Sequence, residues 1–196
     1  MTGRESVTGL VLAGGRGSRM GGVDKGLQLL DGVPLVQHAL DRLAPQVAAL
    51  LINANRNLAR YAQFGLPVWP DADGDFAGPL AGFVAGLAHC TTDWLATVPC
   101  DTPRFPLDLV ARLLAAATDA TVAVACTLED GFMQRQPVFC LVRRMAHTSL
   151  VDYVAGGGRK IDGWFKRERC VDVLFEDANA FFNANTLEEL RRLGPA

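Results

Sequence analysis

Val7-Thr8-Gly9-Leu10-Val11-Leu12 is a continuous apolar run, and it passes directly into Ala13-Gly14-Gly15-Arg16-Gly17-Ser18-Arg19-Met20-Gly21-Gly22-Val23-Asp24-Lys25. An apolar run of this length ended by glycines predicts a strand buried on both faces, as in a parallel sheet. Further apolar runs at 47–52, 68–69, 94–98 and 121–126 predict more strands. Helical patterns stand between them. One begins at Pro34, with Leu35, Val36, Ala39, Leu40 and Leu43 on one face, and a short one covers 57–64. Another begins at Pro79, with Leu80, Phe83, Val84 and Leu87 in a stripe, and another at Pro106, with Val110, Leu113 and Leu114 inward. Strand–helix alternation over the first 126 residues predicts an α/β fold with a doubly wound, mostly parallel sheet.

After residue 126 the rhythm changes. A polar loop is expected over 127–136, a strand over 138–142 and a helix over 145–155. Gly156-Gly157-Gly158 makes a break, a late strand follows over 171–175, and Thr186-Leu187-Glu188-Glu189 is a capping box for a C-terminal helix. The second half is therefore expected as a small irregular C-terminal lobe. Without a repeat, low-complexity tract or linker, residues 1–196 are expected to form one domain, its halves meeting near residue 126.

With 196 residues, 49% of them hydrophobic, the chain can bury a core without a disulfide or metal staple. Lys and Arg number 19 against 21 Asp and Glu, a net charge of −2 that excludes disordered and collagen-like classes and argues against nucleic-acid binding. It leaves an anionic small ligand open, because such a ligand feels local charge. The N-terminus lacks a signal-peptide core, and no apolar stretch approaches the roughly 20 residues of a membrane helix, so a cytoplasmic protein without membrane contact is expected. The five cysteines are scattered, as reduced core thiols would be, and the three histidines lack metal-ligand spacing.

The glycine-rich segment carries the chemistry. Five glycines in the nine residues 14–22 let the backbone turn tightly and present N–H groups to an anion, Gly14 and Gly15 first among them. Arg16, Arg19 and Lys25 add cations opposed only by Asp24. Backbone donors with cations suit a triphosphate. A P-loop does not fit, because Lys25 follows Asp24 and precedes Gly26. A dinucleotide fingerprint fails too, since Met20 stands where its third glycine belongs. Asp101, in Thr97-Val98-Pro99-Cys100-Asp101-Thr102-Pro103, follows a buried strand between two prolines, and a carboxylate there suits Mg²⁺ shared with phosphate oxygens. Asn53 and Asp71 end the second and third strands on the same edge, where an amide oxygen and a carboxylate could meet the N1–H and N2–H₂ donors of guanine. Taken singly, each is equally a turn residue; their joint placement raises them. In Gly78-Pro79-Leu80-Ala81-Gly82, a helix N-terminus near the sheet edge or plain structural punctuation fits equally well.

Four segments together resemble the molybdenum cofactor guanylyltransferases. These are the Leu-Ala-Gly-Gly…Arg-Met-Gly-Gly-Val-Asp-Lys-Gly start, Gly78-Pro79-Leu80-Ala81-Gly82, Pro99-Cys100-Asp101-Thr102-Pro103, and Phe182-Asn183-Ala184-Asn185-Thr186-Leu187-Glu188-Glu189-Leu190. They occur in order over nearly the whole chain. The resemblance implies a Rossmann-like nucleotidyltransferase that joins GMP from GTP to molybdopterin carrying molybdenum. It implies nucleotide contacts at Leu12, Ala13, Gly14, Lys25, Asn53, Asp71 and Asp101, with Mg²⁺ on Asp101. It also implies a phosphate-binding arginine at Arg19, and a polar pair at Asn183 and Asn185 near the pterin, either of which could be a second metal ligand. It places the nucleotide on about 1–126 and the acceptor on about 127–196, and it implies transient partners in cofactor biosynthesis and delivery; a monomer is expected. The cationic clusters at 156–160 and 166–169 are open candidates for the pterin phosphate, or solvated faces. The glycine loop alone also fits a cytidylyltransferase for the same cofactor, or a sugar-1-phosphate nucleotidyltransferase. A non-catalytic GTP-binding delivery protein is the rival of a different class.

Overall fold

The computed structural model describes residues 3–13, 24–71, 78–184 and 189. In chain order the elements are β1 (Val7–Leu12), β2 (Leu29–Leu30), β3 (Val33–Pro34), α1 (Leu35–Leu43), β4 (Ala49–Asn53), α2 (Leu58–Ala62) and β5 (Val68–Trp69). There follow α3 (Pro79–His89), β6 (Trp94–Pro99), α4 (Leu109–Ala116), β7 (Val122–Glu129), β8 (Phe132–Arg143), α5 (His147–Ala155), α6 (Ile161–Phe165) and β9 (Cys170–Leu174). Seven of the strands make one sheet in the order β5-β4-β1-β6-β8-β7-β9. Only β8 runs against its neighbours.

The alternation of side chains along a strand splits the apolar residues between two layers. Val7 and Val11 of β1 face one core, packed with Val36, Leu40 and Leu43 of α1 and Leu109, Val110 and Leu113 of α4. Leu10 faces the other, with Leu80, Phe83 and Leu87 of α3, Leu150 and Val154 of α5, and Trp164 and Phe165 of α6. Helices on both faces make the fold doubly wound, as the sequence predicts. The central strands are buried on both sides, hence their unbroken apolar runs.

Residues 127–136 depart from expectation. Instead of a polar loop, they carry β7 and β8 out into a hairpin, closed by Asp130 (φ 51°) and Gly131 (φ 79°). Two successive left-handed residues make the turn that matches strand twist, and Asp-Gly suits it. The polar residues mislead because this arm is exposed. The β7–β8 register breaks between Val124 and Ala125, where the partner jumps from Cys140 to Gln136 across Pro137, a residue that cannot donate to the ladder. A second Asp-Gly turn, Asp31-Gly32, joins β2 to β3. The strand expected at 47–52 spans Ala49–Asn53, and the late strand Cys170–Leu174. Apart from Glu189, the expected C-terminal helix lies outside the described residues. Among the described residues no helix is long and apolar enough to cross a membrane.

Candidate active site

Because β5, β4, β1 and β6 are parallel, their carboxyl ends share one edge of the sheet. Leu12 pairs with Asn53 on one side and Pro99 on the other, and Asn53 pairs with Trp69. The ladder continues one step further: the Ala13 amide donates to the Asn53 carbonyl (2.8 Å), and the Cys100 amide to the Leu12 carbonyl (3.0 Å). These bonds occupy the Ala13 N–H and one side of the Leu12 C=O. On the β5 side the Ala54 amide donates to the Trp69 carbonyl (3.2 Å), and the chain leaves the edge at Asp71 there and at Asp101 after β6.

On the β4 side, Asn53 is buried and donates through Nδ2 to Asp71 Oδ1 (2.9 Å) and to the Trp69 carbonyl (3.1 Å). Its amide oxygen is thereby turned towards α3 at Gly82, where any side chain would collide with it. Asn55 completes the group: its Nδ2 donates to Asp71 Oδ2 (2.7 Å) and its Oδ1 accepts from the Asp71 amide (2.8 Å). Asp71 is thus gripped at both carboxylate oxygens. Asn55 was not among the expected residues, although Asn53-Ala54-Asn55 offered a signal: in extended chain, alternate residues share a face.

On the β6 side, Lys25 Nζ lies 3.2 Å from Asp101 Oδ2, with the two side chains 23% and 16% exposed. A part-buried pair is desolvated enough for its charges to count, yet still open to a ligand. Beneath it Cys100 is buried. Burial first, then the Asp101 and Asp24 carboxylates, push its thiol well above the usual range, so it is a protonated core residue. The Asp101 turn is held from behind: its carbonyl accepts from the Ala184 amide (2.8 Å), and Thr102 Oγ1 donates to Asn183 Oδ1. This puts Asn183 beside the turn. Gly14, Gly15, Arg16, Arg19 and Asn185 lie outside the described residues.

Two further acidic-site partners also escaped the sequence reading: Tyr61 and Asn57, which both donate to Asp24. Of the two cationic clusters, 166–169 ends at the far edge of the sheet. There the Arg169 carbonyl accepts from Thr121 and Val122, at the amino end of β7. The other cluster closes α5: Arg159 Nη1 donates to the Val154 carbonyl (3.1 Å), and Tyr153 OH to the Lys160 carbonyl (2.9 Å).

Among the described residues no three His, Cys, Asp or Glu side chains converge as a metal-binding set. A single carboxylate with substrate oxygens and water is nevertheless the donor set magnesium favours, so Asp101 fits that ion.

A family model described as the MobA-like NTP transferase domain matches residues 9–170. The molybdenum cofactor guanylyltransferase of Methylibium petroleiphilum is 60% identical over 199 residues, covering 98% of this chain and 98% of that protein. That of Cupriavidus necator is 59% identical over 194 residues, covering 97% of this chain and 98% of its own. Among solved structures, the molybdopterin-guanine dinucleotide biosynthesis protein A of Archaeoglobus fulgidus superposes with a TM-score of 0.76 at 20% identity, over 94% of this chain and 95% of that one. The last match speaks for the fold alone.

Proposed function

The chain belongs to the family of MobA-like NTP transferase domains and is a nucleotidyltransferase; from that premise we propose that it transfers GMP from GTP to molybdopterin carrying molybdenum. The products are molybdopterin guanine dinucleotide and pyrophosphate. The observation that carries this reading is the Lys25–Asp101 pair at the carboxyl edge: one cation for phosphate oxygens and one anion for a hydrated metal ion, 3.2 Å apart. The names of relatives at 59–60% identity supply the substrates.

An oxygen of the acceptor's terminal phosphate forms a bond to the α-phosphorus of GTP, and the bond from that phosphorus to the bridging oxygen of the β-phosphate breaks. The electron pair leaves with pyrophosphate. A phosphate monoester is largely ionised at pH 7, so no side chain need remove a proton. The chain's work is alignment and charge neutralisation. Lys25 and Arg19 hold the triphosphate and the charge that develops on the leaving pyrophosphate, and the Gly14 and Gly15 amides complete the cradle. Asp101 would hold Mg²⁺, which would neutralise charge on the phosphates of the nucleotide. Asn53 and Asp71 read guanine. The nucleotide occupies residues 1–126 and the acceptor 127–196.

Mass spectrometry of the pterin after incubation with GTP, Mg²⁺ and molybdenum-loaded molybdopterin tests the proposal. A mass gain of one guanylyl unit, GMP less one water, supports it. Equal products from CTP or UTP would overturn the guanine assignment, and GTP binding without turnover would make the protein a carrier instead.

A further inference from the structure

The Lys25–Asp101 pair is only as well placed as the turn that launches Lys25, and that turn is tied to α2 by groups the reaction itself does not use. Tyr61 is fully buried, its ring packed in the core with Leu27 and Ile52. Its hydroxyl donates to Asp24 Oδ1 at 2.5 Å, while Asn57 Nδ2 donates to Asp24 Oδ2 at 2.9 Å. The Asp24 carbonyl accepts from the Leu27 amide (3.3 Å) and Gln28 Nε2 (3.4 Å). On the other side of Lys25, Gly26 presses against the same Tyr61 hydroxyl, leaving no room for a side chain. Both neighbours of Lys25 therefore rest on one phenol oxygen.

This arrangement has two physical effects. A buried phenol is tolerated where its O–H finds a partner, and a carboxylate is a strong one. Burial, reinforced by the bond to Asp24, holds the phenol far above its ordinary value of 10.0, so it donates throughout the working pH range. And both Asp24 oxygens accept from α2 and its cap, while the adjacent Lys25 ammonium donates to Asp101.

We propose that Tyr61 is a positioning residue for Lys25: its hydroxyl, by pinning Asp24 and seating Gly26, fixes the turn from which the Lys25 ammonium meets the nucleotide's phosphates. This rests on the GTP reading above. The effect is read as loss of triphosphate affinity without loss of nucleoside affinity.

The experiment compares the native protein, Tyr61→Phe, Lys25→Ala and the double variant by calorimetry with GTP and with guanosine, no acceptor present, alongside thermal melting. Tyr61→Phe removes one oxygen and keeps the ring. It is expected to weaken GTP on the order of 10-fold, the scale of one hydrogen bond to a charged group, and to leave guanosine unchanged. On the Lys25→Ala background the same change is expected to cost GTP nothing more. Native GTP affinity in Tyr61→Phe, or losses that add in the double variant, would overturn the proposal while leaving the GTP site standing. Native GTP affinity in Lys25→Ala would overturn both. If Tyr61→Phe does not fold, Asn57→Gly serves: it removes the other donor to Asp24 and suits that residue's φ of 51°. A loss of about 3-fold specific to GTP supports the proposal, and native affinity overturns it.

Discussion

The two ends of the sheet are built from the same strands-and-helices vocabulary but present different things to solvent. In β5-β4-β1-β6 every strand runs the same way, and the carboxyl ends deliver Asp71, Asn53, Leu12 and Asp101 to one edge. In β8-β7-β9 the antiparallel β8 breaks that convergence. The hairpin it makes with β7 presents Leu128, Phe132 and Met133, all more than half exposed. The parallel end concentrates polar groups because parallel strands need covering layers on both faces, which leaves only their tips open. The antiparallel end spreads its residues along an exposed arm. The density of candidate site residues follows strand direction, and variants on the two ends should separate binding from stability.

The largest effect is expected at Asp101. Asp101→Ala should lower turnover at least ~10²-fold, a usual loss for one electrostatic contribution, with an unchanged circular dichroism spectrum. Calorimetry should also find that Mg²⁺ no longer strengthens GTP binding. Turnover within a few-fold of native would remove Asp101 from the metal role. Next comes Lys25→Ala, which should weaken GTP by roughly 10- to 100-fold and guanosine hardly at all. Equal losses for the two ligands would make Lys25 a structural residue.

A smaller change is expected from Asp71→Ala. Guanine and adenine differ at three hydrogen-bonding positions, O6, N1 and the 2-amino group, each worth about 1–3 kcal/mol when left unmatched. The GTP/ATP ratio of kcat/KM should therefore narrow on the order of 10-fold, with Mg²⁺ dependence intact. Asp71 is a cleaner probe than Asn53, whose burial adds a folding cost. An unchanged ratio would hand base selection to the backbone. The smallest effect belongs to the antiparallel end. Gly131 has φ 79° with nothing within 4 Å of an added Cβ, so Gly131→Ala pays only the backbone strain. A stability loss of about 1 kcal/mol, or ~2–4 °C in Tm, is expected, with GTP affinity untouched. Altered GTP affinity there would break the contrast between the two ends.

The same contrast sets what the sequence discloses. At the parallel end, full burial writes itself as unbroken apolar runs, so β1 and β6 emerge almost to the residue, and with them the edge positions of Asn53, Asp71 and Asp101. The hairpin was illegible because exposed strands carry polar residues such as Gln134 and Gln136; only Asp130-Gly131 marked it, a pair readable by its turn chemistry. Within the site, the expected residues are those that would face a ligand. Asn55, Asn57 and Tyr61 hold those residues in place, and such support depends on chain segments brought together by the fold: Tyr61 lies 37 positions from Asp24. No local spacing announces it.

The place of β1 bears on how the molecule comes into being. It stands at the centre of the parallel end yet precedes both of its partners in the chain, and β4 and β6 end only at Asn53 and Pro99. During synthesis Leu12 must wait until residue 99 has left the ribosome before its second neighbour can dock, a long loop to close before any pairing rewards it. The β7–β8 hairpin, joined by two residues, can zip as soon as it emerges. The edge that carries the candidate site thus needs strands far apart in the chain, whereas the hairpin needs only its own 22 residues, Val122 to Arg143.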